Sequence, residues 1–238
     1  MKERLMSNIR MLEYGIMEPY SNISCFSTTR HGGCGEGAYA TFNCTHYCGD
    51  SLGNVRTNLE ILASSLPERP RFFVIPRQTH TTNVRVITDV PTAEELQDVD
   101  AVVTQLKDFC LCVSTADCVP VLLYDKEKQV IAAIHAGWRG TVGRIVEKTL
   151  EVMKSQYGTE GKDVIACIGP SISLESFEVG DEVYAAFAEA GFDMNRIARR
   201  YEKWHLDLWE ANRLQLLAHG VLPLSLIHIS EPTRRYAI

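Results

Sequence analysis

The chain has 238 residues, 45% hydrophobic and 23% charged, which suffices for one large domain with a substantial core or for two small ones. A formal net charge of -6, with no dense Lys/Arg run, argues against a nucleic-acid-binding surface. No apolar run approaches the ~18–20 residues of a bilayer crossing, and the first residues lack the apolar core of a signal peptide, so a cytoplasmic protein with no membrane partner is expected.

Residues 1–22 have no clear period and read as a lead-in strand or a loose end. Residues 23–29 form a predicted strand, followed by the glycine-rich turn Arg30-His31-Gly32-Gly33. Val55, Leu59, Leu62 and Leu66 recur at helical spacing, which predicts a helix over 54–66 with Asn54 as its cap and Pro67 as its end. Strands are predicted at 71–75 and 83–88, with a short polar helix or turn at 92–97. Further strands follow at 101–104 and 109–114. Residues 121–124 and 130–134 are two apolar strands joined by a polar turn.

The span 141–157 carries Ile145, Val146, Thr149, Leu150 and Met153 on one face and predicts an amphipathic helix. A buried strand is expected at 164–168. Two more helices are expected at 181–190, closed by Gly191, and at 205–219, closed by Gly220. Many strands with four interspersed helices predict a mixed α+β (α/β) fold in a single domain over 1–224. Residues 225–238 read as a translated adapter sequence rather than native chain and are set outside that domain.

Eight cysteines stand at 25, 34, 44, 48, 110, 112, 118 and 167. Without an export signal a disulfide framework is not expected; Cys110, Cys112 and Cys167 lie among strand formers and read as buried small hydrophobes. Cys118 precedes the 121–124 strand and His135 follows the 130–134 strand. An antiparallel hairpin sets those two ends side by side. His80 ends the Pro76-Arg77-Gln78-Thr79-His80 run behind another strand, the kind of loop where reactive side chains sit. Each of the three alone has an ordinary structural explanation. Two imidazoles and a thiolate together suit zinc with a fourth position left open.

Asp117, beside the thiol, reads either as a turn residue or as a carboxylate that orients a histidine or moves protons. The Gly137-Trp138-Arg139-Gly140-Thr141 turn opens the following helix, so helix N–H groups and the Arg139 charge offer an anion site. Cys44, His46 and Cys48, at every second position, form a weaker metal candidate because no fourth partner or Cys-x-x-Cys spacing accompanies them.

Several blocks then match one family in order: Ser27-Thr28-Thr29-Arg30-His31-Gly32-Gly33, Phe42-Asn43, Gly49-Asp50, Gln78-Thr79-His80, Asp100-Ala101-Val102-Val103-Thr104, Ala116-Asp117-Cys118-Val119-Pro120-Val121 and His135-Ala136-Gly137-Trp138-Arg139-Gly140-Thr141. Gly169-Pro170, Glu178-Val179-Gly180 and Leu206-Asp207-Leu208 continue the match. The chain resembles the bacterial laccase-domain family, also called the YfiH or polyphenol oxidase family. The resemblance implies a four-layer αββα fold with mixed sheets and a metal site, usually zinc, at His80, Cys118 and His135. It implies purine nucleoside phosphorolysis with adenosine deamination, so the expected partners are a nucleoside and phosphate. Arg30, Asn43 and Arg139 are the expected substrate and phosphate contacts. A monomer or weak homo-oligomer is expected.

Members are also described as copper-dependent phenol oxidases and as hydrolases that edit peptidoglycan precursors. Copper is the alternative metal. A copper centre reducing oxygen to water needs several ions and many histidines, and the chain has seven; a single His/His/Cys site resembles blue copper, but that wants a weak axial Met, and none sits in the flanking loops. The family's closing Cys- and Arg-containing segment is replaced here by residues 225–238.

Overall fold

The computed structural model describes residues 2–6 and 8–228. In chain order the elements are β1 (Lys2–Met6), β2 (Ile9–Glu13), β3 (Phe26–Thr28), α1 (Leu52–Ser65), β4 (Phe72–Val74), β5 (Val84–Ile87), β6 (Ala101–Thr104) and β7 (Phe109–Leu111). They continue with β8 (Val119–Asp125), β9 (Val130–Ala136), α2 (Trp138–Val142), α3 (Ile145–Tyr157), β10 (Val164–Ile168), β11 (Glu178–Val179) and α4 (Asp181–Glu189). α5 (Met194–Ile197), β12 (Ala198–Arg200), β13 (Trp204–Leu206), α6 (Leu208–Ala218) and β14 (Leu226–His228) complete the order. The predicted mixed α+β class is the one adopted. None of the described helices is long and apolar enough to cross a membrane.

Two compact units divide these elements. The first (Met1–Ile75 and Lys107–Cys110) holds the antiparallel sheet β1-β2-β3, the β4-β7 pair and α1. Its small core joins Ile9, Met11, Phe42 and Leu62. The expected lead-in is therefore a hairpin, with Met6 opposite Ile9. α1 begins earlier than its apolar spacing suggested. Ser51, not Asn54, is the cap, its Oγ accepting from the Gly53 N–H at 3.2 Å.

The second unit is built on a six-stranded sheet of order β14-β10-β8-β9-β6-β5. β8 and β9 form the long antiparallel hairpin at its centre, with Pro120 opposite His135 and Val119 opposite Ala136. β5 runs parallel to β6, so the sheet is mixed. The central strands are mainly apolar and mostly buried, with Asp125 ending β8 and His135 near the end of β9; β10 is buried at every position. α3 lays Ile145, Val146, Leu150 and Met153 into the core, and α6 adds Leu208, Ala211 and Leu216.

Two predicted helices differ in their bounds. The 141–157 span is two helices, because Arg144 takes a left-handed φ of 63° between α2 and α3. Its guanidinium donates to the Ala190 carbonyl at 2.7 Å and sits 3.7 Å over the Phe192 ring, which holds the break. His205 lies in β13, and Asp207 caps α6 by accepting from the Glu210 N–H at 2.9 Å. Periodicity alone does not register either device. Leu226, Ile227 and His228 pair in parallel with Ala166, Cys167 and Ile168, so part of the segment set aside in the sequence reading joins the sheet edge. The remainder of 225–238, from 229 on, lies outside the described residues.

Candidate metal centre

The β8-β9 hairpin and the loop after β4 build the site. His135 is the penultimate residue of β9, and Cys118 directly precedes β8 on the neighbouring strand. His80 comes from the loop between β4 and β5. That loop is latched to the one leading into Cys118 by a reciprocal amide pair: Gln78 Nε2 donates to the Ser114 carbonyl, and the Ser114 N–H donates to Gln78 Oε1, both at 2.7 Å.

One ligand atom from each of His80, Cys118 and His135 falls within 4.8 Å of the others. His80 Nε2 and Cys118 Sγ are 3.7 Å apart. Tetrahedral zinc with ordinary Zn–N and Zn–S bonds would set them about 3.6 Å apart. The donor chemistry of the trio and the spacing of this pair fit a zinc ion. Among the described residues this trio is the group of three or more His, Cys, Asp or Glu side chains placed to hold a metal. It is graded from outside to inside: His80 is exposed, Cys118 half-buried and His135 buried.

Gly137 makes the close approach possible. A Cβ there would stand 2.9 Å from both Cys118 Sγ and His80 Cδ2, well inside van der Waals contact. The chain therefore runs beside the ligands without covering them.

Asp100, fully buried directly before β6, bonds to two members of the trio. Its Oδ1 accepts from His135 Nδ1 at 2.7 Å, leaving Nε2 of that ring for a metal. Burial by itself would raise the Asp100 carboxyl, but hydrogen bonds from His135 and Thr81 outweigh it and hold the group below the usual carboxylate range. Burial alone would lower His135; the bond to Asp100 and the nearby Cys118 instead raise it to about 9. Burial and the neighbouring His135 and Arg139 charges hold the His80 imidazole below its ordinary value, against an opposing pull from Asp100.

Arg139, in the first turn of α2, is exposed and lies 4.3 Å over the Trp138 ring. Asp117 is exposed in the turn before Cys118, and its carbonyl accepts from the Ile172 N–H at 3.0 Å. Arg30 and Asn43 belong to the first unit. Asn43 organises its own loop there, donating to Asp50 Oδ2 at 2.9 Å and accepting from the Thr45 N–H at 2.9 Å. Cys44, His46 and Cys48 do not form a ligand group. Burial, with Cys110 nearby, pushes the Cys44 thiol up to about 12, while Cys48 Sγ lies 3.2 Å from the Thr45 carbonyl. Sequence reasoning named Asp100 only as the head of a matched block and Gly137 only as part of the anion turn, and assigned neither a role at the ligands. An Asp directly before the short buried strand Ala101–Thr104 was the available signal for the first.

A mixed α+β fold carrying two imidazoles and a thiolate that together could hold a metal ion is the frame of an enzyme. The chain belongs to the family whose model, described as multi-copper polyphenol oxidoreductase laccase, matches residues 24–234. It is 57% identical over 222 residues to a purine nucleoside phosphorylase of Bacteroides thetaiotaomicron, covering 89% of this chain and 82% of the relative. It is 40% identical over 222 residues to adenosine deaminase RL5 of an unknown prokaryotic organism, covering 89% of this chain and 84% of the relative. Among solved structures, YlmD from Geobacillus stearothermophilus superposes with a TM-score of 0.84 at 26% identity, over 95% of this chain and 87% of that one.

Proposed function

We propose that this protein is a metal-dependent purine nucleoside phosphorylase, acting on adenosine, inosine, guanosine and methylthioadenosine, that also deaminates adenosine. The observation that carries the reading is a fixed cation beside an open metal centre. Arg139 follows the buried ligand His135 by four residues, and its charge is felt at the exposed ligand His80. An anionic co-substrate is thereby favoured next to the reacting centre. The names of the similar phosphorylase and deaminase supply the substrate class.

His80, Cys118 and His135 would hold the metal, zinc on the donor set, with copper as the alternative. A zinc ion so held supplies Lewis acidity and lowers the pKa of a water at its open position toward ~7. In phosphorolysis a phosphate oxygen forms a bond to C1′ of the ribose while the C1′–N9 bond breaks, and the leaving purine takes a proton. Arg139 would bind and orient the phosphate. Asp117, exposed beside the thiol, would carry the proton to or from the base. In deamination, water adds at C6 of adenine and ammonia leaves. Arg139 stacks on Trp138 and is exposed, so its charge is open to an incoming anion.

The test is direct. Zinc-loaded protein incubated with inosine and phosphate should release hypoxanthine and ribose 1-phosphate in equal amounts. Arg139→Ala should raise the KM for phosphate more than that for inosine. Absence of both products from zinc-loaded protein would rule the reading out.

A further inference from the structure

Asp100 receives more hydrogen bonds at its carboxylate than any ligand of the centre receives at its side chain, and every one of them comes from a donor. Oδ1 accepts from His135 Nδ1 at 2.7 Å and from the His80 backbone N–H at 3.1 Å. Oδ2 accepts from the Thr81 hydroxyl at 2.7 Å, the Thr81 N–H at 2.8 Å and the Thr79 N–H at 3.3 Å. Three successive N–H groups, those of residues 79, 80 and 81, thus converge on one buried carboxylate. That convergence goes with the left-handed backbone of His80, φ 63°, a conformation a non-glycine residue adopts only when its surroundings enforce it. The Asp100 carbonyl also accepts from the His135 N–H at 2.7 Å.

We infer that Asp100 is the positioning residue of the metal centre, a single carboxylate that sets both imidazole ligands at once. It fixes His80 through the backbone of its loop and His135 through the ring. The side chain has to be an acceptor at both oxygens. An asparagine with its amide nitrogen at the Oδ2 position would point N–H groups at the Thr79 and Thr81 backbone N–H groups and force the Thr81 hydroxyl to turn and accept. With that nitrogen at the Oδ1 position it would face the His80 N–H and would also require His135 Nδ1 to accept. The ring proton would then move to Nε2, the nitrogen the metal needs. A carboxylate satisfies all five donors, whereas an amide of the same shape must turn its own donor toward some of them.

This inference rests on reading His80, Cys118 and His135 as metal ligands and is independent of which nucleoside, if any, is turned over. Zinc is the probe, with affinity read by competition against a chromophoric chelator. Asp100→Asn should bind zinc about 10–100-fold more weakly. Thr81→Ala, which removes one donor from Oδ2 and leaves the His135 bond intact, should lose much less.

A long-range 1H–15N spectrum of the zinc-loaded wild-type chain should show His135 bound through Nε2 with its proton retained on Nδ1. This measurement decides the question even if Asp100→Asn does not fold. Wild-type coordination through Nδ1, or a folded Asp100→Asn with unchanged zinc affinity, overturns the assignment. A wild-type chain that takes up no zinc overturns it together with the metal reading, so the two failures are distinguishable.

Discussion

His135 is where charge, burial and metal binding meet. Its pKa of about 9 in the metal-free fold stands above the ~6.5 of an unfolded chain. The protonated ring therefore stabilises the metal-free fold fully below pH ~6.5, and that contribution is lost as pH rises through about 9. The amount at stake is on the order of 3 kcal/mol, enough to lower the melting temperature visibly. Chelator-stripped protein should thus melt progressively lower between pH 6.5 and 9, while zinc-loaded protein, in which the metal replaces the proton, should show a flatter profile. Equal pH profiles for the two forms would contradict the ligand assignment. The three candidate ligands could be found in the sequence because thiols and imidazoles at strand ends are scarce and chemically distinctive. Asp100 could not be picked out in the same way. Its role lies in five hydrogen bonds to residues 79–81 and 135, and aspartates preceding strands are common.

At the level of elements, periodicity located strands and helices and missed their ends. The spacing of Val55, Leu59 and Leu62 is that of α1, yet the helix begins at a Ser51 hydroxyl that no apolar pattern encodes. The continuous face from Ile145 to Met153 belongs to α3, yet the left-handed Arg144 separates it from α2. α2 matters to the site because it follows His135 and carries Arg139, and five residues are too few to hold a helix by themselves. α6 holds it: Asn212 Nδ2 donates to Thr141 Oγ1 at 3.1 Å, and Gln215 Nε2 donates to the Thr141 carbonyl at 3.1 Å. All three residues are fully buried. Asn212→Ala leaves the Thr141 hydroxyl short of a partner and opens a small cavity. It should cost about 1–3 kcal/mol in denaturant unfolding and weaken phosphate binding through Arg139. A variant as stable as wild type would show that the α2–α6 link contributes nothing.

Across the whole molecule, the family description names several coppers while the chain presents one three-ligand group among the described residues. Four-electron oxidation chemistry needs more metal than that group can hold, whereas the proposed phosphorolysis and deamination can be served by a single ion and an anion contact. The fold class followed from strand and helix counts because patterning sets architecture. The division into two compact units did not, since residues 107–110 return to the first unit from far along the sequence. The most direct test is the metal content of protein purified without added copper. The account predicts about one zinc per chain, lost in Cys118→Ala. Two or more coppers per chain, or a full zinc complement retained by Cys118→Ala, would contradict it.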